Sequence, residues 1–192
     1  MRLLALASYL MAASGLAGRA SGLQSARARP RIETYDVSGE TTQELRRDLN
    51  RRGPLSHGKR YDARTDWHVK WRFDFERSQE GCRVVRPQVN LEVVITLPRW
   101  RQPAGAGRQL VELWEGYLEA LRSHEDGHLE VGQSAADEIR ETLEELRAAR
   151  DCSKAEQRAN GLGHEIIERH NRRDERYDEE TRHGATQGAR FP

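Results

Sequence analysis

Residues 124–128 of this 192-residue chain read His124-Glu125-Asp126-Gly127-His128, an H-E-x-x-H order. On a helix, positions i and i+4 share a face, so both imidazoles can reach one cation. Glu125 lies about 100° around the helix, where its carboxylate can take a proton from a water beside that cation without ligating it. These are the parts of a zinc hydrolase. The competing reading is a pair of core histidines satisfied by carbonyl groups. A catalytic zinc normally takes three protein ligands and a water, so two histidines are not enough. The longer H-E-x-x-H-x-x-G-x-x-H form fails, because Val131 stands at its Gly position and Ser134 at its last His position. On a continuous helix Glu144 lies about 24 Å beyond His128 and cannot reach.

A third ligand must therefore come from a remote segment. Residues 153–176 offer His164, Glu165, Glu168 and His170, in a heavily charged setting that favours a solvated face. The tail offers Tyr177, Asp178, Thr181 and His183. His183 follows a helix able to fold back on the first and sits in Thr181-Arg182-His183-Gly184. On spacing alone, a ligand and a solvated tail histidine are equally open for it.

The His124–His128 motif, the following Cys152 and the segment from Tyr177-Asp178 to Thr181-Arg182-His183-Gly184 together resemble a bacterial family. Its members are secreted proteins with a domain of unknown function, classed as predicted secreted zinc-dependent proteases. The resemblance runs from the first strand to the tail. It implies zinc as cofactor, ligand roles for His124 and His128, and the catalytic role for Glu125. His183 matches the family's tail histidine, and we take it as the third ligand, with Asp178 or a carbonyl fixing its tautomer. Tyr177 is assigned to stabilise the developing oxyanion.

The elements that must position these groups are legible in the periodicity. Ile32, Tyr35 and Val37 suggest a short strand, and Thr41-Thr42-Gln43-Glu44 is a capping box that opens a helix closed by Arg52-Gly53-Pro54. Trp67, Val69, Trp71, Phe73 and Phe75 alternate with polar residues, the period of a half-buried strand with an aromatic face. A turn at 78–81 leads to a second alternating run ending at Leu97, so an antiparallel hairpin is expected. After a Gly/Pro linker at 103–107, apolar residues and both histidines recur at spacings of three and four from Leu110 to Leu146. Gly127 and Gly132 interrupt this helix, so a bend or break is expected there. A capping box at Ser153 opens a last helix to about Arg176, and residues 177–192 show no hydrophobic period. The expected class is α+β and zincin-like: a small antiparallel sheet lays its Trp67, Trp71 and Phe75 face on the motif helix. The last helix covers the other side, and the sheet edge beside the motif is free to hold an extended peptide.

Residues 1–28 carry Arg2, an apolar run from Leu3 to Ala17, and a small-residue zone ending Ala26-Arg27-Ala28. That is the layout of a secretory signal peptide, with residues 29–192 as the zinc-protease-like domain. Removing the three arginines of this segment from the total of 32 basic residues leaves 29 against 31 acidic ones. A near-neutral chain argues against nucleic acid as partner, and no later stretch is apolar enough to span a membrane. In the periplasmic or secreted setting this implies, Cys82 and Cys152 are expected to form a disulfide, worth about 3–4 kcal/mol on chain entropy. The function expected is an exported zinc metallopeptidase acting on a peptide or protein. Its rival is a non-catalytic exported zinc-binding or structural envelope protein.

Overall fold

The computed structural model describes residues 28–192. The expected signal segment therefore lies outside the described residues, apart from Ala28. The chain forms β1 (Arg31–Val37), α1 (Thr42–Arg52), β2 (Leu55–Ser56), β3 (Lys59–Arg60), β4 (Arg64–Ser78), β5 (Gly81–Trp100), α2 (Arg108–Glu144) and α3 (Cys152–Thr181). A 3-10 turn, Ala185–Gln187, follows. The class is α+β, as expected. β4 and β5 form the antiparallel hairpin, with Trp67 opposite Val93 and Trp71 opposite Val89. β1 pairs with the other side of β5 in parallel, from Arg31 opposite Val94 to Val37 opposite Trp100. The sheet is thus mixed rather than purely antiparallel, because α1 and the β2–β3 hairpin intervene between β1 and β4 and reverse the chain. β4 is an edge strand.

The caps follow local chemistry. Thr41 accepts a hydrogen bond from the Glu44 amide at the start of α1, as the capping box requires. At α3 the cap is Asp151, whose carboxylate accepts from the Lys154 amide, rather than Ser153. A carboxylate is at least as good an N-cap as a hydroxyl, so the helix starts earlier. It also ends later, at Thr181.

α2 does not break. Its 37 residues run as one helix, about 55 Å long. Gly127 and Gly132 each admit a close approach from another element. A Cβ on Gly127 would meet the Tyr177 hydroxyl at 2.3 Å, and one on Gly132 would meet Trp67 Cγ at 2.9 Å. Each glycine costs about 1 kcal/mol of helix propensity, which this packing offsets.

The aromatic strand face divides between the two long helices. Trp67 lies on α2 at Gly132, Trp71 lies on α3 at Gly163, and Phe75 projects beyond both with 39% of its surface exposed. The indole N–H groups are satisfied by Asp174 and Asn160 on α3. One apolar cluster joins Leu45, Leu49, Val93, Ile95, Trp114 and Tyr117, and a second joins Val84, Ile139, Leu143 and Ile166. Along α2 the motif histidines fall between the two. The tail, which has no hydrophobic period, is nonetheless docked. Phe191 is buried against Trp114 and Tyr117 in the first cluster.

The disulfide is present. Cys82 and Cys152 are bonded with Cα atoms 4.9 Å apart, and Cys82 also pairs through its backbone with Ala149. The start of β5 is thereby tied to the α2–α3 connection.

Candidate metal centre

Stripe periodicity places His124 and His128 on the inward face of α2, and Glu125 beside them is buried as well. Two bare imidazoles in an apolar stripe need polar partners, and α3, which runs antiparallel beside α2, supplies them. Asp174 and Asp178 stand four residues apart on α3, matching the spacing of the histidines they face. Among the described residues, His124, His128 and Asp178 form one group whose donor atoms all lie within 4.8 Å of one another. His124 Nε2 is 3.3 Å from His128 Nε2 and 3.1 Å from Asp178 Oδ1, and His128 Nε2 is 3.2 Å from the same oxygen.

This triangle fits a metal. Ligands about 2.0–2.1 Å from a tetrahedral zinc stand about 3.3–3.4 Å from each other, close to all three edges observed. Two imidazoles and one carboxylate are a donor set able to hold a metal ion. Each candidate ligand is also held from behind. His124 Nδ1 is 2.9 Å from Gln187 Oε1, His128 Nδ1 is 2.8 Å from Asp174 Oδ1, and Asp178 Oδ2 is 3.1 Å from His183 Nδ1. Such outer contacts fix tautomers and ring orientations around a metal.

The electrostatics are those of a compact charge cluster. Burial would lower the His128 imidazole, but its hydrogen bonds to Asp174 and Asp178 outweigh this and push it up to about 10. Burial would raise the Asp178 carboxyl, but hydrogen bonds to both imidazoles hold it well below the usual carboxylate range. A divalent cation would compete with protons for these donor atoms. Glu125 behaves differently. Burial pushes its carboxyl up, although Thr65 of β4 donates a 2.6 Å hydrogen bond to its Oε2.

All four side chains open on a cleft of about 720 Å³. The first residues of β4 form one wall, Glu175 and Glu179 of α3 another, and Ser56 and His57 of the β2–β3 hairpin overhang it. The free edge of β4 therefore runs beside the donor triangle.

His183 is brought to the site, but through Asp178. The pairing expected between these two residues is present with Asp178 facing the histidines and His183 behind it, half exposed and in ring contact with Tyr61. Tyr177 stacks on the His124 ring, at 5.1 Å between centroids and 15° between planes. Its hydroxyl donates to the His124 carbonyl at 3.2 Å, and Tyr177 is not on the cleft wall. His164 lies against Trp71, and His170 pairs with Glu138, both outside the donor group. Sequence reasoning missed Asp174, Gln187 and Thr65. Asp174 and Asp178 repeat the i, i+4 spacing of the histidines, but only the packing of α3 on α2 shows that the two rows face each other.

Residues 32–184, from β1 through the segment after α3, match a family described as "Bacterial protein of unknown function (DUF922)". The chain belongs to this family. Its matched span contains His124, Glu125, His128, Asp174, Asp178 and His183. No curated protein and no solved structure matches the chain. The family description assigns no activity, so the protease reading rests on the chemistry of the site.

Proposed function

We propose that the protein is an exported zinc-dependent metallopeptidase, with His124, His128 and Asp178 holding the metal and Glu125 as general base. The observation that carries this reading is the near-equilateral donor triangle with a buried, non-ligating carboxylate one residue from a ligand, open to a cleft. A zinc ion there would polarise a substrate carbonyl and bring a water's pKa toward about 7. The chain does the rest. The free edge of β4 offers backbone groups to an extended peptide, as in β-augmentation. Glu125 takes a proton from the attacking water and passes it to the leaving amine. Its burial, which pushes the carboxyl up, makes it a stronger base for this step. Thr65 steadies it. Asp174 and His183 hold two of the ligands in register. Tyr177, with its hydroxyl committed to the His124 carbonyl, acts on the ligand rather than on the oxyanion. The Cys82–Cys152 disulfide is compatible with an oxidising compartment, which supports export.

The test is metal content together with hydrolysis of casein and peptide mixtures, for wild type and Glu125→Ala. Zinc retained with hydrolysis abolished in the variant supports the peptidase. Zinc bound by wild type with no hydrolysis of any substrate favours the rival structural role, and no zinc in either removes the site.

A further inference from the structure

The C-terminal segment is ordered by contacts that converge on one ligand. Arg182, His183 and Gly184 turn the chain in the left-handed region, and Gly184 has to be glycine, since a Cβ there would lie 2.9 Å from His124 Cγ. Phe191 anchors the far end in the core. Between them Gln187 meets His124.

For His124 to present an Nε2 lone pair to a metal, its proton must sit on Nδ1. The equivalent problem at His128 has a simple answer. Asp174 can only accept, so Nδ1 must donate. Glutamine both accepts and donates, and a reversed amide would place the proton on Nε2 and block the lone pair. The placement of Gln187 selects one of the two orientations. The His124 carbonyl is an acceptor only, so the Tyr177 hydroxyl donates to it at 3.2 Å. The hydroxyl oxygen accepts from Gln187 Nε2 at 3.1 Å and lies farther, 3.4 Å, from Gln187 Oε1. With its amide nitrogen nearer the Tyr177 hydroxyl, Gln187 turns Oε1 to His124 Nδ1, at 2.9 Å.

We infer that Tyr177 and Gln187 form a two-step relay that sets the tautomer of His124, making both of them positioning residues for the metal site. Together they do what Asp174 does alone for His128. The inference rests on the metal-site reading above. It also explains Gly127: only a glycine lets the Tyr177 hydroxyl lie against the His124 turn of α2.

The relay makes an unusual prediction about two substitutions. Gln187→Ala and Tyr177→Phe should each weaken zinc binding about 10- to 100-fold in chelator competition, the usual cost of losing an outer partner. Gln187→Glu replaces the ambiguous amide with an acceptor and should bind zinc within about threefold of wild type. In that background Tyr177→Phe should have no further effect, because a carboxylate needs no orienting hydroxyl. Equal losses from Tyr177→Phe in both backgrounds would show that the tyrosine acts by packing, and would overturn the relay. So would wild-type affinity in Gln187→Ala. Imidazole 15N spectra of the metal-free wild type and Gln187→Ala give a readout that does not rely on zinc: the His124 Nδ1 proton should be present in wild type and lost in the variant, and identical spectra reject the proposal. If wild type shows protonated Nδ1 yet binds no zinc, the relay stands and the metal reading falls.

Discussion

Two histidine–carboxylate pairs join the same two helices. His128 on α2 meets Asp174 on α3 at 2.8 Å, and His170 on α3 meets Glu138 on α2 at 2.8 Å. Both imidazoles are buried, at 7% and 6% exposure, so neither burial nor a charged partner distinguishes them. The difference lies at the second ring nitrogen. His128 turns Nε2 to His124 and Asp178 beside a cleft, whereas His170 Nδ1 is buried and has no hydrogen-bond partner among the described residues. Glu138, in turn, is shared with Arg169 at the surface. A buried ion pair is an interhelical tie. It becomes a site only where donor atoms from other elements meet at the same point.

The comparison can be broken most sharply by removing one member at a time. His128→Ala and Asp178→Ala should each abolish measurable zinc binding, a larger loss than the about 100-fold ceiling for outer partners. His170→Ala should leave zinc affinity at the wild-type value by chelator competition. Equal losses from His128→Ala and His170→Ala would erase the distinction drawn here. Next in size is Asp174→Ala, which takes the acceptor from His128 Nδ1 and leaves the ring free to rotate. Zinc affinity should drop about 10- to 100-fold, with the fold retained in circular dichroism.

The stability effects run the other way. His170→Ala leaves a void between α2 and α3 and should cost about 1–3 kcal/mol in urea unfolding of the metal-free protein. The smallest effect concerns acid. The hydrogen bond to His170, with Arg169 nearby, holds the Glu138 carboxyl below its usual value. A depressed carboxylate stabilises above its unfolded pKa of about 4.3 and loses that contribution as pH falls through the lower folded value. The difference in urea midpoint between wild type and Glu138→Gln should therefore be constant above about pH 5 and shrink below pH 4. A difference that instead grew on acidification would contradict the pairing.

Much of the fold was legible because local and global preferences agree. Alternation in β4 and β5, the Thr41 capping box and the three-and-four spacing of α2 all mark elements that exist as expected. The failures share a cause. Gly127 and Gly132 read locally as helix weakeners, yet each accommodates an aromatic ring from another element. Phe191 is one aromatic residue in a polar tail, with no period to mark it, and only the pocket formed by Trp114 and Tyr117 explains its burial.

For the site, the sequence alone determined the half that lies on α2. Two histidines and a glutamate five residues from end to end take their mutual geometry from helical pitch, and the apolar stripe that carries the histidines dictates that these face inward. The other half was decided by tertiary structure. Asp174 and Asp178 lie on a helix rich in charge, where nothing local separates a ligand from a solvated acid. They are set apart only when antiparallel packing of α3 on α2 brings two i, i+4 rows opposite each other, and the turn at 182–184 sends Gln187 back to His124. Coordination depends on ångström distances between remote segments, and those distances are properties of the packed helices, not of the order of residues along either one.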